Sequence, residues 1–175
     1  MKEYKLNTEN IKPYLGELRA GDRVLLSGTV YTARDAAHKR LFEMIKNGET
    51  LPFDLNGAAV YYAGPTPTPE GLAIGSCGPT TAGRMDKYTP LLLSHGLAVM
   101  IGKGDRSPEV KATAKENGAV YLCAVGGAGA VAAKHITECE VIAFPDLGCE
   151  SIKRLKFDNF PLFVGLDLHG GSIFK

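Results

Sequence analysis

Residues 23–48, RVLLSGTVYTARDAAHKRLFEMIKNG, set the pattern on which the rest of the chain is read. Arg23 to Thr32 follows an Ala-Gly-Asp turn and is rich in valine, leucine and threonine. Such side chains pack well on a pleated surface, so a strand is predicted there. From Asp35 onward, Ala37, Leu41, Met44 and Ile45 recur at helical spacing, and Asn47-Gly48 supplies a stop. The junction between them, Thr32-Ala33-Arg34-Asp35, puts an arginine at a strand-to-helix turn. It also places Asp35 to cap the helix and complement its positive end.

The same alternation continues on both sides of the chain's middle. Gly57 to Ala63 reads as a strand, and Gly64-Pro65-Thr66-Pro67-Thr68-Pro69 as a stiff extended loop that cannot be helical. Helical residues run from about Ala82 to His95 with Gly96 as terminator. Pro90 conflicts with one unbroken helix, and a start with Thr89 as N-cap and Pro90 at the first helical position is the alternative. A buried strand is predicted over Leu97 to Ile101, a helix from Ser107-Pro108-Glu109 to Asn117-Gly118, and a strand over Ala119 to Val125. A short helix from about Gly129 to His135, a strand from Glu140 to Phe144 and a final strand around Leu162 to Leu166 complete the reading. There is no internal repeat and no disordered linker. The expectation is one α/β domain spanning residues 1–175, with a largely parallel sheet.

Composition narrows the function classes. With 175 residues, 45% hydrophobic and 22% charged, the chain is long enough for one sizeable core. Its 20 basic and 19 acidic residues leave a formal net charge of +1, which supports neither nucleic acid nor a membrane surface as partner. The start, Met1-Lys2-Glu3-Tyr4-Lys5, lacks the apolar core of a signal peptide, and no apolar run is long enough to span a bilayer. A cytoplasmic location is expected.

Chemistry is concentrated in Gly75-Ser76-Cys77-Gly78-Pro79-Thr80-Thr81-Ala82-Gly83-Arg84-Met85-Asp86. Its glycines let backbone N–H groups converge on an anion, Thr80 and Thr81 add hydroxyls, and Arg84 adds a planar fork that suits a carboxylate or phosphate. The same composition also describes an ordinary solvated loop before a helix. Two further cations favour the anion site. Arg34 stands at its own strand-to-helix junction, and Lys103 is set between two glycines in Ile101-Gly102-Lys103-Gly104, at the end of an apolar run. Ligand sites of α/β sheets collect at strand ends, so Arg34, Arg84 and Lys103 can converge on one ligand with two acidic ends.

Other motifs are ambiguous. Gly127-Ala128-Gly129-Ala130-Val131-Ala132 fits a dinucleotide-binding G-x-G-x-x-A fingerprint, with Glu150 about the expected distance on, but too little chain follows to complete such a fold. Small residues that let a helix pack closely explain it better. His38 has two readings: donation to a substrate carboxylate, or a solvent-facing or helix-orienting role. His95 reads as a helix-end residue, and His135 and His169 have no spaced partner. Asp35 and Asp86 read as helix caps or arginine partners rather than bases. Cys77, Cys123, Cys139 and Cys149 are scattered without a C-x-x-C pair, so no zinc or cluster site is signalled. Cys123 and Cys139 read as buried thiols, whereas Cys77 lies inside the suspected site.

The strings T-A-R-D-A-A-H-K-R, G-S-C-G-P-T-T-A-G-R-M-D, I-G-K-G, A-V-G-G-A-G-A and F-P-D-L-G-C-E occur in that order along nearly the whole chain. Together they resemble the β subunit of iron–sulfur hydro-lyases of the class I fumarase and tartrate dehydratase family. The resemblance implies a swivelling β/β/α domain packed beside a cluster-bearing α subunit in a hetero-oligomer. It also implies reversible hydration of fumarate to malate, with tartrate as the alternative substrate. A 4Fe–4S cluster is then held by three cysteines of the separate α subunit or domain, and no metal ligand is assigned in this chain. Arg34, Arg84 and Lys103 bind a substrate carboxylate, Thr80 is the general base by motif match, and Thr81, its substrate-binding neighbour, could exchange roles with it. Outside the resemblance, a stand-alone module for a nucleotide or organic anion, built on the Gly127 turn, is the alternative.

Overall fold

The strand expected at the head of the deciding stretch is β2 (Arg23–Thr32), and the sheet is assembled on it. In this computed structural model, which describes residues 1–174, β2 pairs in parallel with β1 (Glu3–Asn7) along its first half and with β3 (Ala59–Tyr61) at its end. Two further strands, β4 (Val99–Gly102) and β5 (Val120–Cys123), continue the parallel run from β3. The last strand, β7 (Ile152–Leu166), lies antiparallel to both β5 and β2, and β6 (Ile136–Ala143) lines the amino-terminal half of β7. Strands β2, β3, β4, β5 and β7 therefore close into a barrel-like ring flanked by β1 and β6. Closure leaves the ring without an open edge.

The expected parallel sheet thus holds for β1 to β5, and β7 corrects the rest. The expected strand covers only Leu162 to Leu166, whereas β7 begins ten residues earlier and runs through Asp158, Asn159 and Pro161. The strand accommodates these residues at an irregularity: Asn159 takes a left-handed φ of 48°, and the register against β2 shifts between Leu26 and Gly28. Bulges tolerate residues that regular strands reject. Strand β1 had no counterpart in the sequence reading, since of its five residues only Leu6 is buried.

Strands β3, β4 and β5 are covered on both faces, which is why they read as continuous apolar runs, whereas β2 and β7 alternate buried with partly exposed residues. Tyr61, Val99, Ile101, Val120 and Leu122 point into the barrel with Leu26, Phe157 and Leu162. Val60, Tyr62, Met100 and Tyr121 point outward, beneath the helices. Of these, α1 (Asp35–Lys46) buries Ala37, His38 and Leu41, α2 (Thr89–Ser94) buries Leu92 and Leu93, and α3 (Pro108–Glu116) buries Val110 and Ala114. The helix predicted from Ala82 is divided, with a 3-10 turn at Ala82–Met85 and then α2 with Pro90 in its first turn. Thr89 starts α2 without capping it, its hydroxyl donating back to Met85 O at 2.9 Å. A fourth helix, α4 (Gly129–Ala133), has five residues and ends short of His135.

Candidate functional site

Ala33, Ala63, Lys103 and Ala124 immediately follow or lie just beyond β2, β3, β4 and β5, so they share the carboxyl-terminal rim of the parallel strands. The segment Thr80 to Ala82 is laid against this rim. Thr80 N–H donates to Tyr62 O at 2.6 Å, Lys103 N–H to Thr80 O at 3.3 Å, and Ala82 N–H to Lys103 O at 2.8 Å. Thr80, Thr81 and Lys103 are therefore held side by side through the main chain, although the sequence separates them. Gly102 makes this approach possible: a Cβ there would stand 2.8 Å from the Tyr62 ring and 3.2 Å from the Ala82 methyl.

The two arginines come to the same rim by different routes. Arg84 sits on the 3-10 turn after Thr81 and reaches α1, where its Nε donates to Asp35 Oδ1 at 3.0 Å and its Nη2 lies 2.8 Å from Asp35 Oδ2. The side chain remains 52% exposed, and this two-point hold occupies only its Nε–Nη2 edge. Arg34 occupies the N-cap position of α1 without capping it. Its Nε is 3.7 Å from Glu150 Oε1 and has no hydrogen-bond partner, so its guanidinium is steered rather than fastened. Gly64 gives it room, since a Cβ there would fall 2.7 Å from Arg34 Nη1.

These contacts correct the expected cap on α1. Asp35 lies in the first turn, where its charge complements the helix dipole, but its oxygens go to Arg84. Glu150 takes over the terminus, accepting the Ala36 N–H at 3.3 Å. In the sequence Glu150 stands out only for its spacing from the Gly127–Ala132 string. It lies 114 residues from Ala36, and no local pattern announces such a contact.

The glycine-rich turn after β5 borders the rim. Gly129 O accepts the Cys77 N–H at 3.1 Å, and a Cβ on Gly129 would collide with Ser76 Oγ. Gly126 lies under the Lys103 side chain, where a Cβ would be 3.3 Å from Cδ. The turn thus serves close packing, and the strand that follows, β6, pairs only antiparallel. It does not open the parallel βαβ unit that a dinucleotide fingerprint requires.

Beneath the rim the groups are buried. His38 is neither solvent-facing nor free to reach a ligand. Its Nδ1 lies 2.9 Å from Arg34 O, its ring meets the Tyr62 ring edge-on at 5.3 Å, and Nε2 is unpartnered. Burial drives its pKa down to about 4, so the imidazole is neutral with its proton on Nδ1. Arg106, which the sequence reading passed over, is a buried strut. It donates through Nε to Asp86 at 2.7 Å and through Nη2 to Thr89 at 3.0 Å, and Asp86 also accepts the Ser107 N–H at 2.6 Å. Asp86 is accordingly an arginine partner. His95 closes α2, with Nδ1 2.8 Å from Leu91 O.

The cysteines do not form a ligand set. Cys77 is sealed in the barrel core, and burial pushes its thiol up to about 12. Cys123 and Cys139 are only half-buried, less than expected, and Cys149 is exposed. Among the described residues, no three His, Cys, Asp or Glu side chains gather to hold a metal ion. A cluster does not fit this chain's own donors.

The family model described as "Fumarase C-terminus" matches residues 1–175. Similar proteins include "Fumarate hydratase 2" of Leishmania major, 41% identical over 99% of this chain and 31% of the relative's length. "Fumarate hydratase class I, anaerobic" of Escherichia coli is 41% identical over 95% of this chain and 31% of its own length. The chain therefore spans about a third of these fumarate hydratases. It covers 89% of the "Putative L(+)-tartrate dehydratase subunit beta" of Methanocaldococcus jannaschii, at 38% identity over 98% of this chain.

Proposed function

This chain belongs to the fumarase C-terminus family, and from that premise we propose that it supplies one side of a hydro-lyase active site. The reaction is reversible hydration of fumarate to malate, at a site shared with a cluster-bearing α subunit in a hetero-oligomer. The observation that carries the reading is the rim itself: Thr80, Thr81, Lys103 and Arg84 are tied to one another and to α1 beside Arg34. That rim is open, as a half-site completed by another chain or domain needs to be. This architecture suits a swivelling domain packed beside the cluster-bearing one.

In the dehydration direction, a proton leaves the carbon beside a carboxylate, and negative charge spreads onto that carboxylate. Fixed donors aimed at the developing charge lower the barrier. Arg34 and the free edge of Arg84 bind the carboxylate, and Lys103 adds a third positive charge beside Thr80. Thr80 takes the proton. An ordinary threonine hydroxyl is too weak a base at neutral pH, so the role requires the surrounding cations to stabilise its alkoxide. Thr81 lines the substrate. The cluster, held elsewhere, supplies Lewis-acid chemistry when bound.

A second reading, dehydration of tartrate by the same residues, is favoured by one observation. Two relatives that this chain covers to 89% and 80% of their lengths carry the names "Putative L(+)-tartrate dehydratase subunit beta" and "L(+)-tartrate dehydratase subunit beta". Assembling the chain with its cluster-bearing partner under anaerobic conditions, and following loss of fumarate and of tartrate separately, tests both. We expect turnover of fumarate only after assembly. Faster loss of tartrate selects the second reading. Turnover of neither, with assembly confirmed, overturns the hydro-lyase assignment, and nucleotide binding by the chain alone would then support the binding-module alternative.

A further inference from the structure

We propose that Asp35 is a positioning residue that aims the free edge of Arg84 at the substrate carboxylate. The inference rests on the reading of Arg84 as a substrate-binding residue. Arg84 projects from a short turn and is half exposed, a situation in which arginine samples many rotamers. A hydrogen bond from Nε to Asp35 Oδ1 at 3.0 Å, and an ion contact of 2.8 Å between Nη2 and Oδ2, which itself accepts no hydrogen bond, hold the Nε–Nη2 edge against α1 and leave the Nη1–Nη2 edge for a ligand.

Asp35 can do this because the backbone that carries it is set by the helix. It lies in the first turn of α1, where Glu150 receives the neighbouring Ala36 N–H. The preceding carbonyl, Arg34 O, lies 2.8 Å from the His38 amide nitrogen and 2.9 Å from its Nδ1.

Charge alone argues against keeping a carboxylate here. An anion beside an anion-binding arginine weakens the field that attracts a dicarboxylate, so a purely electrostatic view has Asp35→Asn binding substrate more tightly. The positioning role has the opposite sign. The asparagine offers one acceptor and turns an amide N–H toward the other guanidinium N–H, so Arg84 loses its orientation.

The test is kcat and KM for fumarate in the assembled enzyme, for Asp35→Asn, Asp35→Glu, Arg84→Ala and the double variant Asp35→Asn/Arg84→Ala. For Asp35→Asn we expect KM to rise about tenfold to a hundredfold, the scale of a lost charge-assisted hydrogen bond. Asp35→Glu should recover part of this, and the double variant should be no worse than Arg84→Ala, because Asp35 acts only through Arg84. An unchanged or lowered KM in Asp35→Asn, beside a crippled Arg84→Ala, overturns the proposal and leaves the site reading standing. Multiplying effects in the double variant also overturn it. A wild-type Arg84→Ala overturns the site reading and this inference with it. Should Asp35→Asn fail to assemble, Asp35→Glu decides alone: its one-methylene displacement raises KM if Asp35 positions Arg84 and leaves KM unchanged if it does not.

Discussion

Arg106 and Arg84 are each paired with an aspartate, yet they belong to different regions and do different work. The Arg106 side chain has no exposure, and its donors go to Asp86, Thr89 and Tyr62, with the Tyr62 and Tyr121 rings 5.2 and 5.0 Å from its guanidinium carbon. Burial opposes its charge, and Tyr62 and Asp86 more than offset that, holding its pKa above the ordinary range. Arg84, on the rim, spends one edge on Asp35 and keeps the other in water. An ion pair by itself therefore says little about function. What separates strut from site is whether donors remain after the protein's own acceptors are served.

The contrast breaks most sharply at Arg106. Its loss leaves the largely buried Asp86 carboxylate without its cation, so Arg106→Leu should destabilise folding by about 3–5 kcal/mol, the cost of breaking a buried pair. Arg84→Ala removes a half-exposed pair and should change stability by at most about 1 kcal/mol. Urea unfolding of both variants measures the difference, and comparable losses would erase the distinction between interior and rim.

His38 extends the buried region, and pH sharpens the comparison there. Its folded pKa of about 4 lies below the value of 6.5 for a free histidine, so between those limits the unfolded chain binds a proton that the folded chain refuses. The stabilising contribution is complete above pH 6.5 and is lost as pH falls toward 4, by about 3 kcal/mol in total. Asp22 and Asp167, whose pKa values are lowered, lose their contribution only further into acid. Unfolding free energies at pH 7, 5.5 and 4.5 should decline in the wild type and stay flatter in His38→Phe. Parallel curves for the two would remove His38 as the cause.

On the rim the effects should appear in turnover. In the assembled enzyme, Arg34→Ala, Arg84→Ala and Lys103→Ala should each lower kcat/KM by roughly a hundredfold, the usual consequence of removing a donor aimed at developing charge, with unfolding midpoints close to wild type. Steady-state kinetics on correctly assembled variants check this. Wild-type behaviour in any of the three removes that residue from the site.

The two regions also differ in how far the sequence announces them. Arg34, Arg84 and Lys103 stand out because each follows a strand-like run, and Lys103 is flanked by glycines whose meaning is local. The Gly102 contact with Tyr62 and Ala82 explains one of those glycines directly. Strand β2 and helix α1 are equally plain, since their periodicities run over consecutive residues. Arg106 gave no such signal, because its partners come from the residue after β3, the end of the 3-10 turn and α2. Glu150 and the first half of β7 were obscured for the same reason. Charged residues at Lys153, Arg154 and Lys156 look like surface until Lys153 is seen folded back onto Ser151 Oγ at 2.7 Å, and until Leu155 and Phe157 fill the barrel. The long antiparallel closure by β7 is a tertiary fact with no local period.

The smallest expected effect is that of Thr80→Ser, and it is read against Thr80→Val. Its place is set by the backbone bonds to Tyr62 and Lys103, which a side-chain substitution leaves intact. Thr80→Ser keeps the hydroxyl and loses one methyl, so kcat should fall by no more than about threefold, corresponding to well under 1 kcal/mol. Thr80→Val keeps the shape and loses the hydroxyl. If the hydroxyl only donates a neutral hydrogen bond, Thr80→Val costs about 1–2 kcal/mol, and a tenth or so of wild-type kcat survives. If it takes the proton, kcat falls far below that while KM, set by Arg34 and Arg84, holds. Thr81→Val controls for generic crowding of the rim. A Thr80→Val enzyme with a tenth of wild-type kcat withdraws the base assignment. A silent Thr80→Ser beside a dead Thr80→Val fixes the chemistry on one oxygen atom, held in place by the same main-chain ladder that separates the open rim from the closed interior.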